Sequence, residues 1–256
     1  MKQTINIRRV VWLAAFGLLG LLLVMSVKDL KHRSLNRVNI NIKPLQDGSL
    51  LLDEEALLLV VEREFGHRLN KIPIRKIDVG DLEKRLEKNV FVGEAEVYID
   101  ALKRIYIDVI QREPIVRVLD SNGKGFYLDF TGIKMPVSAQ ASPRVLVATG
   151  NVRELIRPQD NEKESGFSEL FELVRKLNQD EMLKPLVEQL DVDQEGEIFL
   201  APKIGDQKII FGQAENIDDK LDRLKIFYKE GLPLEGWTKY KTINLSFDGQ
   251  VVCGKA

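Results

Sequence analysis

Cysteine occurs once and histidine twice in the 256 residues. Cys253 has no partner for an internal disulfide, which neither requires nor excludes an oxidising compartment. His32 and His67 have no Cys or His companion at ligand spacing, so a metal centre is not expected. With only Lys255 as a basic neighbour in sequence, Cys253 reads as a small apolar strand residue rather than a nucleophile. Gly-x-Ser-x-Gly, the Walker loop and Gly-x-Gly-x-x-Gly are all missing. Charge of one sign is missing too: a net charge of −1 supplies no basic face for nucleic acid. Asp191, Asp193 and Glu195 imitate the start of a calcium loop. The twelfth position, where a bidentate Glu belongs, is Pro202, so the stretch reads as a turn. These absences exclude the common enzyme classes and point to a chain with no cofactor, no small-molecule ligand and no nucleic-acid partner.

Against that background one stretch stands out. Residues 10–27 carry no charge. About 18 residues at a rise of about 1.5 Å make a helix of about 27 Å, enough to span a thin bilayer, and the span is placed at 10–30. A cleaved signal peptide is the competing assignment, but the apolar run is long for one. Met25-Ser26-Val27 also offers no small-residue cleavage site. Lys2, Arg8 and Arg9 precede the run, and Lys28, Lys31, Arg33 and Arg37 follow it. The positive-inside rule is therefore near a tie, and charge alone leaves the orientation open.

The roughly 225 residues beyond the run are enough for two modest domains. Residues 31–37 read as a polar stalk. Val38-Asn39-Ile40-Asn41-Ile42 alternates as a half-buried strand, and Gln46-Asp47-Gly48-Ser49 is turn chemistry. Asp53 is placed to cap a helix through Ala56, Leu57, Val60, Val61 and Phe65, ending at Gly66. Asp78 is placed to cap a second, with Leu82 and Leu86 inward and Glu83, Lys84, Glu87 and Lys88 as a solvated face. Residues 91–100 and 104–113 alternate as two strands of a hairpin. The order strand, helix, helix, strand, strand is an α+β layer.

From Pro114 the texture changes. Strands are expected at 115–119, 125–129 and 144–148, with turns at 121–125 and at Thr131-Gly132. An amphipathic helix at 167–177 turns Leu170, Phe171, Val174 and Leu177 inward. Residues 186–192 and 197–200 pair around Gln194-Glu195-Gly196, and 208–211 is a further strand. A periodic helix runs 217–228 through Ile217, Leu221, Leu224 and Tyr228. Residues 240–247 alternate with Ile243, Leu245 and Phe247 on one face. Asp248-Gly249 signals a type I′ hairpin turn returning through 250–254. The region reads as a mixed sheet with two helices. A strand that closes such a sheet leaves unpaired N–H and C=O groups at its edge, which a partner strand can complete. The candidate partner-binding residues are Phe247, Gln250, Val251, Val252, Cys253 and Gly254. Phe247, Val251 and Val252 are its apolar anchors, and at least one of the three is expected in the core.

Phe91-Val92, Ala95-Glu96-Val97, Ile107-Asp108-Val109, residues 111–118, Tyr127-Leu128-Asp129, Gly132 and Met135-Pro136 together resemble the FtsQ/DivIB family of bacterial division proteins, in its Bacteroidetes-type form. Gly212 with Lys220, Leu221 and Leu224 is similar to a further signature of that family, as is Ile243-Asn244-Leu245-Ser246-Phe247 before Asp248-Gly249. The resemblance implies a cytoplasmic tail at 1–9, the transmembrane helix at 10–30 and the stalk at 31–37. It implies a POTRA domain at 38–113 and a β domain at 114–256. It also implies a single-pass inner-membrane protein with a cytoplasmic amino terminus and periplasmic domains at the septum. Its role would be a non-enzymatic scaffold for FtsB-like and FtsL-like partners. Two other assignments are weighed: a POTRA-type module in outer-membrane protein assembly, and a membrane-tethered periplasmic enzyme.

Overall fold

The computed structural model of the chain describes residues 17–21, 37–65, 73–119, 125–152 and 168–255. Residues 17–21 are helical and exposed. Among the described residues no helix is long and apolar enough to cross a membrane. The rest of the 10–30 run lies outside the described residues, as do 31–36, both histidines, Gly66 and the turn at 121–124.

The chain divides into two compact units. The first takes the chain up to Pro44 and Leu52–Gln111; the second takes Leu45–Leu51 and everything from Arg112.

In the first unit, β1 (Arg37–Lys43), α1 (Glu54–Phe65), α2 (Val79–Glu87), β2 (Val92–Ile99) and β3 (Arg104–Gln111) follow one another. The sheet order is β1-β3-β2, with β1 parallel and β2 antiparallel to β3. Both capping expectations hold. Asp53 Oδ1 accepts the Ala56 N–H at 2.7 Å, and Asp78 Oδ1 accepts the Asp81 N–H at 3.1 Å. Leu57 and Val61 of α1 and Leu82 and Leu86 of α2 meet Ala95, Val97, Ile105, Ile107 and Val109 in one core. Each of the Leu, Val and Ile side chains contributes about 1.5–3 kcal/mol by leaving water. The solvated face assigned to α2 needs one correction: the Glu83 carboxylate accepts the Val97 N–H at 2.9 Å. That N–H lies on an outer strand of the sheet, and a carboxylate three positions after Gly80 reaches it across the α2–β2 contact.

The second unit holds β4 (Pro114–Leu119), β5 (Gly125–Asp129), β6 (Lys134–Pro136), β7 (Leu146–Gly150), α3 (Glu169–Gln179), α4 (Leu183–Leu186), β8 (Val187–Val192), β9 (Ile198–Pro202), β10 (Lys208–Gly212), α5 (Ile217–Ile226), α6 (Leu232–Glu235), β11 (Tyr240–Asn244) and β12 (Val252–Lys255). The nine strands form one mixed sheet in the order β12-β11-β10-β9-β8-β7-β4-β5-β6. Ser168 caps α3 by accepting the Phe171 N–H at 3.2 Å. Leu170, Phe171, Leu173, Val174 and Leu177 of α3 and Leu221, Leu224 and Tyr228 of the α5 segment share a core with the sheet. Leu45 and Leu51 are also buried, and Leu51 is tied to the sheet region by the Ser138 hydroxyl, which donates to its carbonyl at 2.6 Å.

Two expectations at the C-terminal end are corrected. The helix at 217 does not stop at Tyr228: it widens into a π turn at Phe227–Gly231 and continues as α6. The turn at Asp248-Gly249 does not close a two-residue hairpin. Asn244 pairs with Val252, so a loop of residues 245–251 joins β11 to β12. Leu245 explains the length, because its N–H bonds to the Ile210 carbonyl of β10 at 2.8 Å, on the side away from β12.

Candidate functional site

β12 is short; it pairs with β11 and lies at the end of the strand order. The register is antiparallel, with Tyr240 against Lys255, Thr242 against Gly254, Ile243 against Cys253 and Asn244 against Val252. Among the described residues no strand pairs with the outer side of β12.

The six residues singled out from the sequence fall on this strand and the loop before it. Val252 is 42% exposed and Phe247 48% exposed. Val251 and Cys253 are half-buried and pack against the sheet's core. Of the three anchors, then, none is fully buried, and Phe247 does not share the inward face of Ile243 and Leu245. It lies past the end of β11, where the chain has left the sheet. Burial pushes the Cys253 thiol up, away from reactivity. Gly254 lies close to β11: a Cβ there would sit 2.4 Å from the Thr242 hydroxyl oxygen, which accepts the Gly254 N–H at 3.2 Å and would have to turn away. Gln250 is exposed, and its carbonyl is an acceptor for Arg223.

Arg223 is the residue that sequence reasoning missed. It projects from α5, is held by Asp219 at 2.8 Å, and donates to the Phe247 carbonyl at 2.8 Å and the Leu245 carbonyl at 3.3 Å as well as to that of Gln250. Five donors in a rigid fork suit a guanidinium to gather three carbonyls of one loop. The loop leading into β12 is thereby fixed by a side chain more than twenty residues upstream.

Beside this loop runs an open groove of about 360 Å³, lined by Arg223, Ile226, Phe227, Leu234, Gln250 and Val251 among others. Ile226 is 57% exposed and Leu234 86% exposed. Ile226 stands off the apolar stripe of α5, and an isoleucine on the polar side of an amphipathic helix was the one available signal for the groove. The π turn shapes its floor. A Cβ on Gly231 would come within 2.7 Å of the Phe227 ring, which would have to shift to admit it. Tyr228, under the same turn, is buried with its hydroxyl unpartnered among the described residues, and burial pushes it up to about 12.

The other candidates are absorbed locally. Asp193 Oδ1 accepts the N–H groups of Glu195 at 3.0 Å and Glu197 at 2.8 Å, and Asp191 accepts the Thr149 hydroxyl at 2.5 Å. Among the described residues no group of three or more His, Cys, Asp or Glu is placed to hold a metal. Lys220 is buried, donates to the Gln213 carbonyl at 2.8 Å and lies over the Phe211 ring; burial lowers its pKa. What the region offers chemically is a backbone edge, an apolar groove beside it and a clamp that fixes both.

A family model described as FtsQ/DivIB, C-terminal related, matches residues 113–254, which spans β4 to β12. No curated protein matches the chain.

Proposed function

The chain belongs to the FtsQ/DivIB family, a family of non-enzymatic division proteins, and from that premise we propose that it is a bitopic scaffold of the division machinery. In this reading residues 10–30 form a single inner-membrane span with the amino terminus in the cytoplasm. The first unit is a POTRA domain (38–113) and the second the family's β domain (114–256), both in the periplasm at the septum. FtsB-like and FtsL-like proteins are its partners. They dock by adding a strand to β12 and placing apolar side chains in the adjoining groove.

The observation that carries the reading is the juxtaposition at β12: a sheet-terminal strand, exposed Val252 and Phe247, and exposed Ile226 and Leu234 beside the same loop. Main-chain bonds of an added strand give affinity, and the groove gives register. Exposed apolar residues gathered beside an edge mark an interaction surface rather than ordinary scatter.

The test is the affinity of the full chain for the periplasmic part of the FtsB-like protein. The N–H groups of Val252 and Gly254 face β11, so the outward donor at the middle of the edge strand is that of Cys253. Cys253→Pro removes it, and Leu234→Asp puts a carboxylate in the groove at a position too exposed to affect folding. Each is expected to weaken binding about tenfold or more, by analogy with central interface residues. Unchanged affinity in both variants, with normal thermal unfolding, contradicts the proposal.

A further inference from the structure

Among the described residues two sheets have four outer strands, and three of them are guarded or already assigned. β2 is bulged between Val92 and Glu94, and its Val97 N–H is taken by Glu83. β6 has three residues and ends on Pro136. β12 is the edge discussed above. These are ordinary devices against unwanted strand pairing. β1 shows none of them. It is seven residues long and contains no proline. It pairs with β3 from Arg37↔Arg104 to Lys43↔Ile110 without a register shift. Among the described residues the one side-chain bond to its backbone is from Gln111 Nε2 to the Lys43 carbonyl at 2.9 Å.

The core beneath β1 is also incompletely closed. Val38, Ile40 and Ile42 pack against the cluster of the first unit but stay half-buried. Their neighbours in register on β3, Ile105, Ile107 and Val109, are at most 1% exposed. α1 packs over β1, so a further strand alongside would cover what these three side chains leave open. The alternation of β1 makes that geometry specific, because a one-residue slip would exchange apolar for polar partners.

The opposite face of β1 says what kind of strand fits. It presents Arg37, Asn39, Asn41 and Lys43, with a cation at each end and both cations exposed. A second copy of this chain, paired antiparallel about Ile40, would set Arg37 directly across from Lys43 of the other copy, twice over. Like charges directly opposite are destabilising, and a parallel pair of copies does not close by a two-fold axis. We propose that β1 is a second strand-addition site. Its occupant is an extended segment of a different polypeptide, with apolar side chains at alternate positions and a carboxylate at each end of the other face. The proposal does not depend on the assignment of β12.

The test uses two synthetic seven-residue peptides on the full chain in detergent micelles: Glu-Val-Thr-Ile-Thr-Val-Glu and Lys-Val-Thr-Ile-Thr-Val-Lys, both with blocked ends. Binding is read by fluorescence anisotropy and by amide hydrogen exchange across residues 37–43. The Glu-flanked peptide is expected to slow alternate amides of β1 and to bind roughly fivefold or more tightly than the Lys-flanked one, from two cross-strand charge pairs. The double variant Arg37→Glu, Lys43→Glu changes only exposed ends of the strand and is expected to reverse that preference. Retained folding is checked by thermal unfolding. No slowing at 37–43 with saturating peptide, or a preference that the charge reversal leaves unchanged, overturns the proposal. Slowing confined to 252–255 overturns it too and leaves the β12 reading standing. Self-association of the chain through β1 would overturn the choice of occupant.

Discussion

Arg223 does the most with one side chain. Its three carbonyl bonds are charge-assisted, and such bonds contribute about 1.5–3 kcal/mol when they replace water. Arg223→Ala is therefore expected to destabilise the second unit by about 1–3 kcal/mol in urea unfolding. Hydrogen exchange should quicken first at residues 245–251. Arg223→Lys should recover little, since an ammonium on a flexible stem cannot hold three carbonyls in a plane. Gly231→Ala sets a methyl within 2.7 Å of the Phe227 ring, so the ring must shift in the groove it lines, and the substitution is expected to weaken partner binding more than it changes thermal unfolding. Asp100 supplies a pH-dependent case in the first unit. Its carboxylate accepts the Arg104 and Leu102 N–H groups at 2.9 Å and pairs with the Arg104 guanidinium at 2.6 Å. The backbone bond from Arg104 leads in holding its pKa below the usual carboxylate range. A depressed carboxylate stabilises the fold above its unfolded pKa and loses that contribution as pH falls through the folded value. Thermal unfolding from pH 6 down to pH 2 is thus expected to show a smaller acid-side loss in Asp100→Asn than in the parent chain.

Elements were legible where the signal is local. Asp53 and Asp78 announce helices because a capping carboxylate and its N–H lie three residues apart. The β2–β3 hairpin follows from two alternating runs and a short polar loop, and the order of elements in the first unit follows from those runs. What stayed hidden depends on contacts distant in sequence. Nothing near Arg223 says that it will bind carbonyls at 245, 247 and 250, and nothing near Asp248-Gly249 says that Leu245 will remain bonded to β10. The π turn at Phe227–Gly231 keeps the apolar spacing of a regular helix on either side, so periodicity passes over it. Alternation through 240–247 and the turn residues Asp248-Gly249 mark β12 as a returning strand, whereas the groove beside it needed the fold of α5 and α6. At this scale the prediction concerns α6. Leu234→Asp should leave thermal unfolding within about 0.5 kcal/mol of the parent, as exposed substitutions do, while weakening partner binding.

For the whole molecule, the proposed membrane span is what makes modest contacts sufficient. Anchoring two proteins in one bilayer turns a bimolecular encounter into a local one, with effective concentrations of about millimolar for short linkers. Removing residues 1–30 and exporting the remainder is therefore expected to leave both units folded but to abolish the mid-cell band of a fluorescent fusion. A persistent band would show that the tether is dispensable. On the proposed scaffold role, depletion of the protein is expected to give filaments. The most direct measurement is hydrogen exchange on the full chain with and without the periplasmic part of the FtsB-like partner. Strand addition at β12 predicts slowed exchange at residues 252–255, together with protection of the Ile226 to Leu234 groove. Binding that leaves 252–255 unchanged and protects another part of the second unit would contradict it.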